Sequence, residues 1–230
     1  MNELLKGKVK TVYDTEDAEK VLIEFHDKVT AWNGKHVEYP PEKGATCCLI
    51  SALLFEMLEK RGIKTHYLEL PSLNKMVCKK LAIVPVEVIC RNIAAGSIVK
   101  TTTLSEGTLI QPAIIEFFLK DDSKDDPLLT PDRVRLMGHN PDPLVERAKE
   151  INHELQSLFS LMGIDLVDFK LEFGYDVHGD LYLADELSPD NMRLWKRGTK
   201  ERFDNDLFRK DEGDIVEAYK YILQQLRQFA

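Results

Sequence analysis

The sequence is poor in the features that would place a protein in a membrane, on nucleic acid or in an oxidising compartment. No run of roughly 18 apolar residues occurs, so no segment reads as a membrane-spanning helix. There is no basic excess: the net charge of −8 argues against broad binding to nucleic acid or to anionic lipid, both of which need a positive surface. Cys47, Cys48, Cys78 and Cys90 show no CxxC spacing, and the adjacent pair Cys47-Cys48 has no partner ligands at metal spacing. The opening MNELLKGKVK lacks the apolar core of a signal peptide, so a reduced, cytoplasmic protein is expected. Also missing are a Walker A loop, the dinucleotide glycine fingerprint, internal repeats and any low-complexity linker.

What is present is an ordinary globular composition. At 230 residues, 43% hydrophobic and 30% charged, the chain can bury a full core as one large domain or as two small lobes sharing a cleft.

Its most informative stretch runs from Asp165 to Trp195. Val167, Phe169, Leu171 and Phe173 alternate with Asp168, Lys170 and Glu172, the period of a strand with one packed and one ionisable face. A second strand over Asp180 to Leu187, joined by a short turn centred between His178 and Gly179, makes an antiparallel hairpin that sets Glu172 opposite Asp185. Two opposed carboxylates repel unless a cation lies between them. Mg²⁺, which takes one or two protein carboxylates and completes its shell with water and phosphate oxygens, would remove the conflict. The other reading is a solvated hairpin face carrying ordinary surface charges.

Elsewhere, Lys6 to Tyr13 reads as a strand entered through Gly7, with Lys8 and Lys10 on one face, suited either to a polyphosphate or to solvent. Asn33-Gly34 marks a turn within 30–34. Ile50, Leu53, Leu54, Met57 and Leu58 follow the helical repeat after Lys43-Gly44, with Gly62 as the stop. Lys64 to Leu70 and Met76 to Leu81 read as strands, and Pro85 in the apolar connector 82–86 marks a strand edge or a crossing between lobes. From Arg91 to Ser97, small residues carry an arginine at one end and a serine at the other, a phosphate or carboxylate cradle or else a tight turn with a solvated arginine. Lys120 ends another strand before the charge-rich loop 121–127. Helices are expected from Asp142 to Gly163, with His153 off the apolar stripe, and from Glu212 to Phe229.

KGKVKTVYDT from Lys6, TAWNGK from Thr30, VPVEVICRNIAAGS from Val84, FLKDD around Lys120, VDFKLEFG from Val167 and LADELSPDNMRLW from Leu183 succeed one another along nearly the whole chain. In these motifs the chain resembles the SAICAR synthetase (phosphoribosylaminoimidazole-succinocarboxamide synthase) family, ATP-dependent ligases of purine biosynthesis. The resemblance implies an α+β, two-lobed SAICAR-synthetase-like fold with antiparallel sheets and an ATP cleft between the lobes. Residues 1–84 would form the amino-terminal ATP-binding lobe and 85–230 the carboxy-terminal substrate and metal-binding lobe. It implies that aminoimidazole carboxylate ribotide (CAIR) is joined to L-aspartate in de novo purine (IMP) biosynthesis, giving SAICAR, ADP and phosphate through an acyl phosphate.

Carried over by motif, Lys8, Lys10, Ile83, Val84 and Lys120 would bind ATP; Glu172 and Asp185 would bind Mg²⁺; and Arg91, Ser97, Arg193 and Asp126 would bind substrate. Lys170 would act near the nucleotide, and Asp168 or Asp190 would accept the amine proton. A homodimer is what the resemblance suggests. The chain departs from the family pattern at Thr46-Cys47-Cys48, at Asp125 and at Lys196. A small-molecule kinase and a nucleotide-binding regulator without catalysis are the competing readings.

Overall fold

The computed structural model describes residues 2–31 and 36–229, so the turn expected at Asn33-Gly34 lies outside the described residues. The first part of the chain runs β1 (Glu3–Lys6), β2 (Lys10–Asp14), β3 (Lys20–Phe25), β4 (Val29–Ala31), β5 (His36–Glu38), α1 (Lys43–Glu59), β6 (Tyr67–Ser72) and β7 (Lys75–Lys79). The rest runs β8 (Ala82–Ile83), β9 (Val86–Ile93), α2 (Ser97–Thr101), β10 (Leu109–Leu119), β11 (Leu128–Leu129), α3 (Pro131–Leu136), α4 (Asp142–Leu161), β12 (Ile164–Tyr175), β13 (Leu181–Ala184), β14 (Met192–Lys196), α5 (Asp206–Lys210) and α6 (Ile215–Leu226). No helix among the described residues is long and apolar enough to cross a membrane.

Two main sheets organise these elements, and all their strand pairings are antiparallel. The smaller has order β1-β2-β3-β7-β6, with α1 packed on β3, β7 and β6. The larger has order β11-β10-β9-β12-β13, with β14 and β8 also pairing β12, and α4 lies across β12 and β9. The apolar stripe of α4, including Leu144, Ala148, Ile151, Leu155 and Phe159, is buried there, while His153 is exposed. The sheets meet at a seam: His66 N–H donates to Leu183 O at 2.8 Å, and Leu183 N–H donates to Lys64 O at 3.0 Å. The last helix, α6, returns from the end of the chain to pack along α1.

Expected and observed strands differ in instructive places. Lys6 to Tyr13 is not one strand: Gly7 N–H donates to Lys10 O at 2.8 Å, closing a turn that folds β1 back on β2. Lys8 therefore sits exposed in the turn, and only Lys10 is carried by a strand. In β12 the alternation is broken by a bulge, where Leu166 faces Leu194 and Asp168 faces Arg193, leaving Val167 extra. Leu166 thus joins Phe169, Leu171 and Phe173 in the main core, and Val167 packs in a small cluster with Ala95 and Trp195.

The hairpin register is shifted by one residue from the expectation: Glu172 pairs with Ala184, not with Asp185. The cause is the loop. Asp176 Oδ1 accepts the N–H groups of His178 (2.9 Å) and Asp180 (3.0 Å), building an Asx-type loop centred on His178 instead of an even-numbered turn. Such a slip would turn an extended Asp185 away from Glu172. The strand ends at Ala184, however, and Asp185 takes a left-handed backbone conformation (φ 62°) that redirects its carboxylate.

Candidate active site

Lysines converge on the Glu172 end of β12 from both sheets. Lys10, from β2, bonds Asp185 and meets Glu186 Oε1 at 2.8 Å. Lys120, just beyond β10, bonds Glu172, and Lys170 lies 2.7 Å from Glu87 and 3.5 Å from Glu172. Both acids of the hairpin therefore reach one charged cluster, although they are not a directly opposed pair. Glu172 is only 4% exposed, so the ionisable face of β12 is no solvated surface.

The titration behaviour follows from crowding. Burial and the nearby Asp185 push the Glu172 carboxyl above its ordinary range, against the pull of Lys170 and Lys120. Burial acts the same way on Asp185, but Lys10 and Lys170 outweigh it and hold that carboxyl well below the usual range. For Lys10, burial opposes the charge, and Asp185 and Glu186 more than compensate. Two acidic side chains of this kind offer hard oxygen donors, the chemistry that Mg²⁺ selects, so the residues present fit a divalent ion.

A second cluster lies further along β12. Arg91 in β9, Asp168 in β12 and Arg193 in β14 are register partners across three adjacent strands. Asp168 Oδ2 accepts from Arg91 Nη1 at 3.0 Å and from Arg193 Nη1 at 2.8 Å. Arg91 is 1% exposed, and its other donors serve Glu116 and Ser97 Oγ (2.8 Å). Arg193 is the more open of the two and is braced by Asp206 at 3.0 Å. Gly96 at the start of α2 has φ 64°, and a Cβ there would lie 2.6 Å from Arg193 Nη2, so only glycine lets the chain lie flat on this guanidinium.

The connector positions Ile83 and Val84 differently. Ile83 pairs with Gly174 and is 45% exposed, whereas the Val84 side chain is 2% exposed and its N–H donates to Phe173 O at 2.9 Å. A Cβ at Gly174 would come within 2.8 Å of Leu81 Cβ, which is why the connector crosses β12 at a glycine. Asp126 is not brought to the arginines: its Oδ1 closes its own loop by accepting Asp121 N–H at 2.9 Å. That loop stays beside the connector through Lys120 N–H, which donates to Pro85 O at 3.2 Å.

Asp190 sits in the loop between β13 and β14, where Lys43 and Tyr219 each bond one of its oxygens. Lys43, Glu186, Glu87, Glu116 and Asp206 were not singled out from sequence. Each is brought in by tertiary packing, and the adjacency of Asp185-Glu186 was the one local hint. Cys47 and Cys48 are core residues. Burial pushes the Cys47 thiol far up and that of Cys48 to about 12, and the neighbours of Cys47 are the carboxylates of Glu186 and Asp190 with Lys43, not a soft-metal ligand set. Lys196 is exposed and bonds Glu201 at 2.9 Å, so its ammonium is turned away from Arg193.

A small antiparallel sheet set beside a larger one, with lysines from both meeting carboxylates at the junction, defines a two-lobed nucleotide-using enzyme. A SAICAR synthetase family model matches residues 3–226, and the chain belongs to that family. A phosphoribosylaminoimidazole-succinocarboxamide synthase of Prochlorococcus marinus is 43% identical over the whole of both chains. Among solved structures, a SAICAR synthetase (Type-2) in complex with ADP is 38% identical, with a TM-score of 0.93 over 96% of each chain. The phosphoribosylaminoimidazole-succinocarboxamide synthase of Ehrlichia chaffeensis is 36% identical, with a TM-score of 0.94 over 98% of each chain.

Proposed function

We propose that the chain, acting in the cytoplasm, joins the carboxylate of CAIR to the amine of L-aspartate at the expense of ATP, yielding SAICAR, ADP and phosphate in de novo purine (IMP) biosynthesis. Residues 1–84 serve as its ATP-binding lobe and 85–230 as its substrate and metal-binding lobe. The observation that carries the reading is the meeting of Lys10 from the small sheet with Asp185 beside Lys120, Lys170 and Glu172 of the large one. Such a cluster neutralises a polyphosphate from two sides.

A carboxylate is a poor electrophile until it is phosphorylated. In the first step a CAIR carboxylate oxygen attacks the γ-phosphorus and ADP leaves; in the second the aspartate amine attacks the acyl carbon and phosphate leaves. Phosphoryl transfer of this kind needs positioning and charge neutralisation but no protein nucleophile. Lys10, Lys120 and Lys170 neutralise the phosphates, and Lys8, exposed in the turn between β1 and β2, is assigned to them as well. Ile83 supplies an exposed apolar edge for adenine, and Val84 holds the connector through its backbone. Glu172 and Asp185 would hold Mg²⁺, which supplies charge neutralisation at the phosphate oxygens when bound.

Arg193 and Ser97 bind the ribotide, oriented by Arg91, while Asp126 shapes the loop beside the connector. Asp168, whose two oxygens accept three bonds from two guanidinium groups, is assigned as the anchor for the arginines and not as the base. Asp190 keeps acceptor capacity on both oxygens and is assigned the amine proton.

A coupled ADP-release assay tests the reading by omitting CAIR and L-aspartate in turn. Steady release is expected only with both present. Full-rate release with ribotide alone would instead identify a small-molecule kinase.

A further inference from the structure

Lys43, the first residue of α1, is among the largest fully buried side chains of the protein, yet the reaction steps above make no use of it. A buried ammonium persists only when it is paired. The Lys43 partner comes from a distant element: Nζ donates to Asp190 Oδ2, while Tyr219 of α6 donates its hydroxyl to Asp190 Oδ1 at 2.8 Å. Cys47 of α1 and Glu186 of the same loop face this group as well, and Asp204 acts on Tyr219.

The connections continue toward the nucleotide cluster. Asp190 N–H donates to Ser188 Oγ at 3.2 Å, Ser188 Oγ–H donates to Glu186 Oε2 at 2.7 Å, and Glu186 Oε1 meets Lys10 Nζ at 2.8 Å. A single hydrogen-bonded line thus runs from the start of α1 through the loop between β13 and β14 to a lysine of the small sheet.

We propose that Lys43 is a positioning residue that braces this loop from α1 and fixes Asp190 where the incoming amine is received. The proposal rests on the role given to Asp190 above. Lys43 bonds Asp190 and neither of the two carboxylates that Lys10 bonds, so its loss is expected to act on turnover before nucleotide affinity.

The test compares wild type, Lys43→Met and Tyr219→Phe by steady-state kinetics with each substrate varied, and by calorimetric titration with ADP. Lys43→Met is expected to lower kcat about tenfold or more and to raise the KM for aspartate, the scale of a misplaced catalytic group. The dissociation constant for ADP and the KM for ATP should stay within about twofold of wild type, since no nucleotide-side contact is removed. A Lys43→Met enzyme with wild-type kcat overturns the proposal. So does one whose ADP affinity falls in step with kcat, which would mark general loosening.

If Lys43→Met does not fold, Tyr219→Phe, which deletes only a hydroxyl, carries the test. A several-fold fall in kcat with unchanged ADP binding supports the brace, and an unchanged kcat overturns it. A wild-type chain that releases no ADP with both substrates refutes the proposed function. A wild-type chain that turns over and is matched by both variants refutes the brace alone.

Discussion

At the Glu172 end of β12 the cations are lysines reaching in from both sheets, whereas at the Asp168 end they are arginines held within one sheet. The lysines are point charges on flexible stems, paired with carboxylates that are themselves strained by proximity. Such contacts exchange readily when phosphate and a divalent ion arrive. The arginines are planar, engaged by several acceptors each, and locked by strand register. Their geometry exists before any ligand does. One end of the strand is therefore built for partners that come and go in each cycle, the other for recognising a fixed shape.

The sharpest way to break this contrast is at the lysine end. Glu172→Ala and Asp185→Ala should each lower kcat by roughly two to three orders of magnitude, the scale of removing a preorganised electrostatic partner, with the fold retained by circular dichroism. Wild-type rates in both would show that the cluster is not where phosphate is handled. At the arginine end, Gly96→Ala should push the Arg193 guanidinium from its seat and raise the KM for CAIR by about one to two orders of magnitude, with the KM for ATP unchanged. Parallel changes in both constants would mean the two ends are not separable.

A smaller effect is expected behind Arg193. Burial and the neighbouring Asp206 push the Asp204 carboxyl up from 3.8 to about 7. Because the folded value is the higher one, the stability this group contributes is complete below the unfolded value and is lost as pH rises through about 7. Between pH 4 and 7 wild type should lose stability relative to Asp204→Asn, with a slope of about 1 kcal/mol per pH unit in urea titrations. Equal slopes would remove Asp204 from the account. Least of all, Lys196→Asp should change kcat by less than about twofold and stability by no more than about 1 kcal/mol, as for an exposed ion pair. A large effect on CAIR binding would bring that side chain back beside Arg193.

Much of this arrangement was legible in the sequence, and the misses have physical causes. Alternation along β12 exposed Asp168, Lys170 and Glu172 as one face, and the stripes of α4 and α6 were plain from their period; α1 is enclosed well beyond its expected stripe, with Cys47, Cys48, Ser51 and Phe55 buried while Leu53 and Met57 are only partly so. The hairpin register was missed by one because the Asp176 side chain, not a backbone preference, sets the loop. The split of Lys6 to Tyr13 turned on a single hydrogen bond across Gly7. Lys43 was unreadable, since a lysine opening a helix is ordinarily solvated and only the return of α6 and of the Asp190 loop encloses it.

The packing of α6 on α1 also has a bearing on synthesis. The apolar side of α1 that faces α6 belongs to the first quarter of the chain, but its cover is made by residues 215–226. While the chain is being translated, the small sheet and its helix emerge first and must wait, with that flank uncovered, until residues 215–226 have followed them out of the ribosome.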